Sequence, residues 1–363
     1  MNNILVIATA ARTGGALSIL KQVICDAKNT TDKYTFLIDH SIKNYLEKSP
    51  NIIYISIDTK NWIKRIYYDY RGYSKIIKKS NYNICLNLQN IPVRINNVKQ
   101  YIYYHQPLPL NNHNFYKESK KLWLYQKFYL YFVKINIRFA HKFIVQTEWI
   151  QKNLTKKIKF NKNKIIIIKP IINVKKELIN KNQYKKNDNV LFYPAASYFY
   201  KNHNLIIKAL STISTRFLKE HNYILYLTIT EDEYLNTYKH TIPENIKEFI
   251  VFLGPIKHED VHYYFSASKA LLFPSYIETF GLPLVEAMSH GCFIIASDLE
   301  YSMDTLKKYS NKSLCASNSP EQWAKEIKKL VEKDKIEYEY EYINSSLESQ
   351  KNIIEFIIND SKD

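Results

Sequence analysis

Two carboxylates, Glu278 and Glu286, flank a Phe-Gly-Leu-Pro turn in the stretch SYIETFGLPLVEAMSHG, residues 275–291. The preceding KALLFPS is short, apolar and stopped by Pro274, the pattern of a buried strand ending at a turn. The following LPLVEAMSHG has helical spacing, with Pro283 suited to the first helical position and Gly291 placed just past the helix end. This predicts Glu286 in the first helical turn and Glu278 in the loop before it, so the two acids approach one place from different backbone elements. Between them, the amides of Phe280, Gly281 and Leu282 form the open start of a helix. Unpaired donors and partial positive charge make such a start an anion site. The same residues also fit a plain strand-to-helix connection in which Glu286 only complements the helix dipole. The turn alone does not decide between them.

Three further turns follow predicted strands. In TAARTGGAL, Gly14 and Gly15 precede a helix expected to begin near Ala16, and such a turn lets backbone approach a phosphate closely. It lacks the G-x-G-x-x-G spacing, and a tight strand-to-helix turn is an equal reading. In YHQPLPL, His105 ends a strand and the prolines at 107 and 109 force an extended loop, which puts an imidazole at a sheet mouth. In FYPAASYFYKNHNLIIKAL, Lys201 precedes a helix for which Asn204 is the expected N-cap. An ammonium there complements a diphosphate, although in a lysine-rich chain it also reads as a solvated side chain. The acidic TEDEY at 230–234 reads as a polar loop, and with no Asp-x-Asp in the chain no metal is expected.

The elements that must hold these groups are legible as alternation. The runs ILVIATA, YTFLID, IIYISI, YNICLNL, QYIYYH and KFIVQT are apolar enough to be covered on both faces, which predicts a parallel sheet wrapped by helices. A second set follows: VLFYPAA, YILYLTIT, FIVFLG, ALLFPS and CFIIASD, separated by helical stretches such as HNLIIKALSTI and EDVHYYFSAS. The expectation is α/β: two Rossmann-like domains, 1–180 and 181–345, with a cleft at their strand ends, and a closing helix within 346–363 that returns to the first domain. The run EKDKIEYEYEY near the end reads as a solvated helix face.

Charge divides the chain the same way. Of 363 residues, the first 180 carry 31 Lys and Arg against 9 Asp and Glu, or +22, and the remainder 21 against 25, or −4, which together give the net +18. A basic half implies an anionic partner: nucleic acid, lipid headgroups or a phosphorylated substrate. Cys25, Cys85, Cys292 and Cys315 have neither paired nor metal-ligand spacing and are expected as small core residues in a reducing compartment. The start MNNILVIATAARTGG reads as a first strand rather than a secretion signal, and no uncharged window is long enough to predict a membrane-spanning helix.

Taken together, FLGPI, EDVHYYFSASKALLFPS, YIETFGLPLVEAMSHG and CFIIASDLEY resemble the C-terminal half of a retaining glycosyltransferase of family 4, with the GT-B fold. The likeness covers most of residues 185–330. In the first half it rests on the Gly14-Gly15 turn, on His105 and on VQTEW near residue 147. YPA followed by YKNHNLIIKAL is similar to members that build bacterial surface polysaccharides such as lipopolysaccharide O-antigen and capsule. The resemblance implies a hexosyltransferase that uses a nucleotide sugar, GDP- or UDP-linked, without a metal. It implies that Glu286 accepts hydrogen bonds from the ribose, that Glu278 contacts the donor sugar, and that the amides of Phe280, Gly281 and Leu282 meet sugar and diphosphate. Lys201 would stabilise the leaving diphosphate, the Gly14-Gly15 turn would close over it, and His105 would lie near the transferred sugar. One departure stands out: many members carry an Arg five residues before the lysine, where this chain has Ala196. One cationic phosphate contact is then missing or supplied elsewhere.

The first half would hold the acceptor. Trp62, Tyr67, Tyr68 and Tyr70 in NWIKRIYYDYRGYSKIIKK, with KKLWLYQKFYLYFVK at 120–134, mix rings and lysines in a way that suits an anionic membrane surface and a lipid-linked acceptor at the cytoplasmic leaflet. The same side chains also fit ordinary helix core faces. Three rival functions remain at this stage: a GT-B sugar-nucleotide epimerase, a degenerate relative that only binds, and a nucleic-acid-binding protein that stacks bases on the tyrosines, although with no RNP-like aromatic motif or zinc finger no nucleic acid is expected as a partner.

Overall fold

The apolar runs become short parallel strands, most of them followed by a helix. The computed structural model describes residues 1–59, 61–116, 119–170, 190–332 and 352–362. The chain divides into two units, one of Met1–Ile171 with Gln350–Asp363 and one of Ile172–Ser349. The expected boundary near residue 180 and most of the acidic run beginning at 332 lie outside the described residues.

The first unit is built from β1 (Asn3–Ala8), α1 (Gly14–Lys28), β2 (Lys33–Ile38), β3 (Ile52–Ser56), α2 (Trp62–Tyr67), α3 (Tyr73–Lys78), β4 (Ile84–Asn87), β5 (Lys99–Tyr103), α4 (Lys120–Asn136), β6 (Lys142–Val145), α5 (Glu148–Ile158) and β7 (Ile165–Ile167). Its sheet is wholly parallel, in the order β3-β2-β1-β4-β5-β6-β7. The order reverses between β1 and β4. Ile4, Val6, Phe36, Leu86 and Tyr103 from the strands meet Leu20, Val23 and Ile24 of α1 in one core. The C-terminal helix (Ile353–Asp360) adds Ile353, Ile354 and Ile357 to that core. Its end is tied down by Asp360, which pairs with Lys142 and accepts hydrogen bonds from Tyr101 Oη at 2.9 Å and His141 Nε2 at 3.1 Å.

The second unit repeats the plan with β8 (Val190–Tyr193), α6 (His203–Ser211), α7 (Thr215–Glu220), β9 (Ile224–Leu227), α8 (Glu231–Tyr238), β10 (Ile250–Phe252), α9 (His258–Ala267), β11 (Ala270–Phe273), α10 (Leu282–Ser289), β12 (Phe293–Ser297), α11 (Glu300–Thr305), β13 (Lys312–Cys315) and α12 (Pro320–Lys329). The order β10-β9-β8-β11-β12-β13 is again all parallel. Counted from its own first strand this is 3-2-1-4-5-6, the doubly wound Rossmann order, with the reversal between β8 and β11.

Several local expectations are corrected. TEDEY is no loop: Thr230 caps α8, its hydroxyl accepting from Glu233 N at 3.1 Å while the Glu233 carboxylate accepts from Thr230 N at 2.9 Å. Its acids neutralise a helix start instead of lying free. The first glycine turn is shorter than expected, since α1 already begins at Gly14. Strand β13 escaped the sequence reading because KSLC is short and half polar. Cys85, Cys292 and Cys315 are buried, but Cys25 on α1 is exposed.

Candidate functional site

In a doubly wound sheet the loops leaving the two strands at the reversal turn to opposite faces, and a crevice opens between them. In the second unit these are the loops after β8 and after β11. The first carries Lys201 and the second carries Glu278. Several bonds lock them together. Tyr276 N donates to Tyr200 O at 2.8 Å, Asn202 Nδ2 donates to Pro274 O at 3.2 Å, and Tyr193 Oη reaches both Lys201 O and Ser275 Oγ, at 2.8 and 2.9 Å. Tyr301 Oη of α11 donates to Ser275 O at 2.7 Å from behind. The buried tyrosines are therefore the frame on which the loop backbones hang.

On that frame Lys201 Nζ lies 2.5 Å from Glu278 Oε1, and the two side chains are only 17% and 15% exposed. Charges held so far from water make a short, directional pair. An ammonium has three N–H donors, so one bond to Glu278 leaves two for another anion. Beside the pair, Gly281 caps α10 with φ 74°, and Thr305 Oγ1 donates to Phe280 O at 2.6 Å, fixing the turn. Leu284 N closes back on Gly281 O at 2.8 Å. Among the described residues, the amides of Phe280, Gly281 and Leu282 make no hydrogen bond. The anion site expected from the sequence thus keeps its donors.

Glu286 is placed differently from the expectation. Helix α10 starts at Leu282, so Pro283 is its second residue and Glu286 its fifth, past the first turn. Macrodipole complementarity falls off within the first turn, which removes the plain explanation for this carboxylate. It lies instead against α9, where His258 Nε2 is 3.2 Å from Glu286 Oε1. Glu286 is 12% exposed and His258 70%. Behind them, His262 Nδ1 meets His290 Nε2 at 2.9 Å, and His290 Nδ1 meets Ser266 Oγ at 2.8 Å, all buried. His258 was not singled out from the sequence. The signal was available in the i, i+4 spacing of HEDVH, which puts His258 and His262 on one helix face. Asn204 is not the cap of α6 either: the helix begins at His203, Asn202 takes φ 57° before it, and Asn204 accepts from Tyr234 Oη at 3.0 Å. Ala196, where an Arg was the pattern, is exposed.

In the first unit, Gly14 follows β1 at the reversal of that sheet, with φ 60° and nothing within 4 Å of where a Cβ would stand. Gly15 is the second residue of α1. His105 follows β5, one strand further along the sheet. Its amide donates to Asn90 Oδ1 at 2.7 Å, and burial pushes its imidazole down to about 4 against the opposing pull of the Tyr103 backbone. At the reversal itself, Thr9 Oγ1 meets Tyr73 Oη at 2.6 Å and Gln89 Oε1 at 3.1 Å. The expected residues of this unit therefore share the carboxyl edge of one sheet, but Gly14 and His105 are separated by β4.

A pair of doubly wound units with an acid-flanked glycine turn at the second reversal invites comparison with known proteins. Residues 174–346 match the family model described as glycosyl transferases group 1. This stretch is a glycosyltransferase group 1 domain. The chain that carries the group 1 domain is 24% identical over 208 residues to the O-antigen chain mannosyltransferase RfbU of Salmonella typhimurium, covering 56% of this chain and 55% of that protein. It is 28% identical over 175 residues to the capsular polysaccharide biosynthesis glycosyltransferase CapH of Staphylococcus aureus, covering 43% of each. The chain thus spans about half the length, or less, of the curated relatives it matches. Among solved structures, it aligns over 99% of its length with 98% of WaaG, a glycosyltransferase involved in lipopolysaccharide biosynthesis, at 13% identity and a TM-score of 0.70. It aligns over its full length with 98% of Anabaena HepE in complex with UDP-glucose, at 14% identity and a TM-score of 0.61. Matches of this kind establish the fold: two Rossmann-like parallel-sheet domains of the GT-B type, as the sequence predicted.

Proposed function

We propose that the protein is a retaining hexosyltransferase of family 4 that moves a sugar from a GDP- or UDP-linked donor to a growing, lipid-linked surface glycan. The observation that carries this reading is the Lys201–Glu278 pair, 2.5 Å apart, beside the unpaired amides of Phe280, Gly281 and Leu282. The relatives' names and the UDP-glucose complex of HepE support the same class of donor.

In this reading the diphosphate lies at the start of α10. The remaining N–H groups of Lys201 and the three amides hold its oxygens, and they gain strength as negative charge builds on the leaving group. Glu278 accepts hydrogen bonds from donor-sugar hydroxyls and keeps Lys201 aimed. Glu286 accepts from the ribose hydroxyls, and His258 orients its second oxygen. No metal is assigned a part, because the ammonium and amides carry the phosphate charge. Ala196 leaves Lys201 as the main cation for that task. For the first unit, the acceptor is assigned to the carboxyl edge of its sheet, where the Gly14-Gly15 turn offers approachable backbone and His105 a neutral imidazole near the transferred sugar. Among the described residues, no helix is long and apolar enough to cross a membrane. A basic first half is then the means of reaching a lipid-linked acceptor, from the cytoplasmic side and peripherally.

The test is a panel of nucleotide sugars screened for thermal protection of the purified protein, followed by sugar transfer with the protecting donor. Protection should appear with one nucleotide series and need roughly tenfold more donor in Glu286→Ala. Protection by none, or transfer undiminished in Lys201→Ala, would remove the assignment.

A further inference from the structure

Helices α9 and α10 of the second unit meet along a polar seam to which the transfer chemistry assigns no part beyond its outer end. His258, His262 and Ser266 recur at every fourth residue of α9, and His290 follows Glu286 at the same interval at the end of α10, so each set shares one helix face. The contacts run in one line. Ser266 Oγ lies 2.8 Å from His290 Nδ1, and His290 Nε2 lies 2.9 Å from His262 Nδ1. The ring of His262 meets that of His258 edge-on, with centroids 4.8 Å apart, and His258 Nε2 ends the line 3.2 Å from Glu286 Oε1. Ser266, His290 and His262 are buried, and the Phe265 ring stacks on His290.

Apolar side chains would fill this space without the cost of taking polar groups out of water. Imidazoles add something that they do not. Each ring nitrogen needs its partner at one distance and one angle, so a bonded line of them admits a single placement of the two helices. The outer end of the line shows what that placement serves. His258 is 70% exposed. A side chain so exposed gains little by holding a carboxylate, because fixing it costs rotamer freedom. The edge contact with His262 offsets this cost by giving the ring a rigid neighbour, and His262 is itself held through His290 to Ser266. Glu286, past the first turn of α10, has no helix dipole to steady it.

Charge also sets the direction of the protons. Burial pushes the His262 imidazole below its ordinary range, against the pull of Glu286 and with the push of His258, so the ring is neutral at pH 7. A neutral line can be ordered in two ways. Either Ser266 donates to His290 Nδ1 and His290 Nε2–H donates to His262 Nδ1, or both bonds run in reverse. The first order turns the positive ends of the bond dipoles toward the Glu286 end, where the negative charge stands; the second turns them away.

We propose that Ser266, His290 and His262 are positioning residues, a buried proton-ordered line that steadies His258 and so fixes the Glu286 carboxylate for the two ribose hydroxyls. The inference rests on the reading that Glu286 binds the ribose, and it adds the device that makes this grip selective. Its consequence is that a hydroxyl buried on the far side of α9 from the nucleotide governs how well the protein tells a ribose from a sugar without those hydroxyls.

The experiment measures affinity for UDP and GDP and for their dideoxy counterparts, which lack both ribose hydroxyls. Wild type should prefer the complete nucleotide roughly tenfold, in one of the two series. Ser266→Ala suits a helix interior and should leave α9 intact, yet it should cut that preference about threefold, the worth of one neutral hydrogen bond. Ser266→Thr, which keeps a hydroxyl, should restore it. NMR of isotope-labelled imidazole nitrogens in the wild-type protein should find His262 and His290 both protonated at Nε2. A Ser266→Ala that weakens the complete and dideoxy nucleotides alike would make the seam merely structural and overturn the proposal, as would an unchanged preference or protons found at Nδ1 of both rings. Wild type with no preference for ribose hydroxyls would instead remove the ribose role of Glu286, and the role of the line with it.

Discussion

The two units share one strand order, reversal included, and differ in what stands at the reversal. In the second unit it holds an ion pair, Lys201 with Glu278, on loops cross-linked by backbone bonds and buried tyrosine hydroxyls. In the first, Thr9, Tyr73 and Gln89 bond to one another, and the ion pair, Arg12 with Asp39 at 2.8 Å, joins the loops after β1 and β2 instead of crossing the reversal. The overall charge runs the other way, with +22 in the first 180 residues and −4 in the rest. Topology supplies the place, and chemistry is written into the loops. The unit with the larger net charge is not the one whose ion pair spans its reversal. The second unit places a single ammonium where burial makes it count.

The sharpest way to break that contrast is to remove the ammonium. Lys201→Ala should lower sugar transfer by about a hundredfold to a thousandfold, the loss typical of one preorganised donor at a developing charge. It should also destabilise the protein by about 3 kcal/mol, because Glu278 is left enclosed and unpaired. Lys201→Ala/Glu278→Gln should recover most of the melting temperature and none of the activity. If activity returns with stability, the pair is structural and the contrast disappears.

Acid should separate the second unit's framework from its site. His203 is wholly buried on α6, with its amide and ring Nδ1 both against Tyr238 Oη, at 3.0 and 3.2 Å. Burial first, and then the charge of Lys201, push its imidazole down to about 3. The unfolded chain takes up this proton near pH 6.5 and the folded one does not, so stability falls as pH drops from 6.5 toward 3 and is unaffected above 6.5. The slope from this one group is about 1.4 kcal/mol per pH unit. Urea unfolding at pH 7 and pH 5 measures it, and His203→Gln should flatten the dependence.

Glu286→Ala tests the other acid. It should weaken nucleotide-sugar binding roughly tenfold, the worth of a hydrogen bond to a charged acceptor, with little change in melting temperature. His258→Ala should weaken it less, as expected of a group that only positions the carboxylate. Thermal protection over a titration of donor reads both.

Much of this was legible before any coordinates. Apolar runs, IIII at 165–168 included, announced twelve of the thirteen strands among the described residues, and β13 was missed because Lys312 and Ser313 break its apolar pattern. The turn around Gly281 was legible because a loop glycine before an apolar helix has few other uses. What composition and spacing could not show was which partner each charged group would choose. Lys201 and Glu278 lie far apart in sequence and meet only through the parallel pairing of β8 with β11. Asp232 and Glu233 looked available and are helix-start residues. Helix α4 was harder still: its rings alternate between core and solvent, and no periodicity says which side the sheet will cover.

The smallest predicted effects compare the two glycine turns directly. Gly281 and Gly14 both take positive φ, 74° and 60°, but a Cβ on Gly281 would stand 2.9 Å from Leu284 Cδ1, whereas one on Gly14 would meet nothing within 4 Å. Gly14→Ala should therefore cost only left-handed strain, about 1 kcal/mol. Gly281→Ala should add steric strain and cost about 2 kcal/mol or more, while displacing the amides it shares with Phe280 and Leu282. Denaturant midpoints of the two variants decide it. A larger loss at Gly14 would mean that the first turn is the tightly packed one and that its open space is already committed to a neighbour. Equal losses would mean that Leu284 yields and that the turn before α10 is less rigid than a preorganised anion site requires.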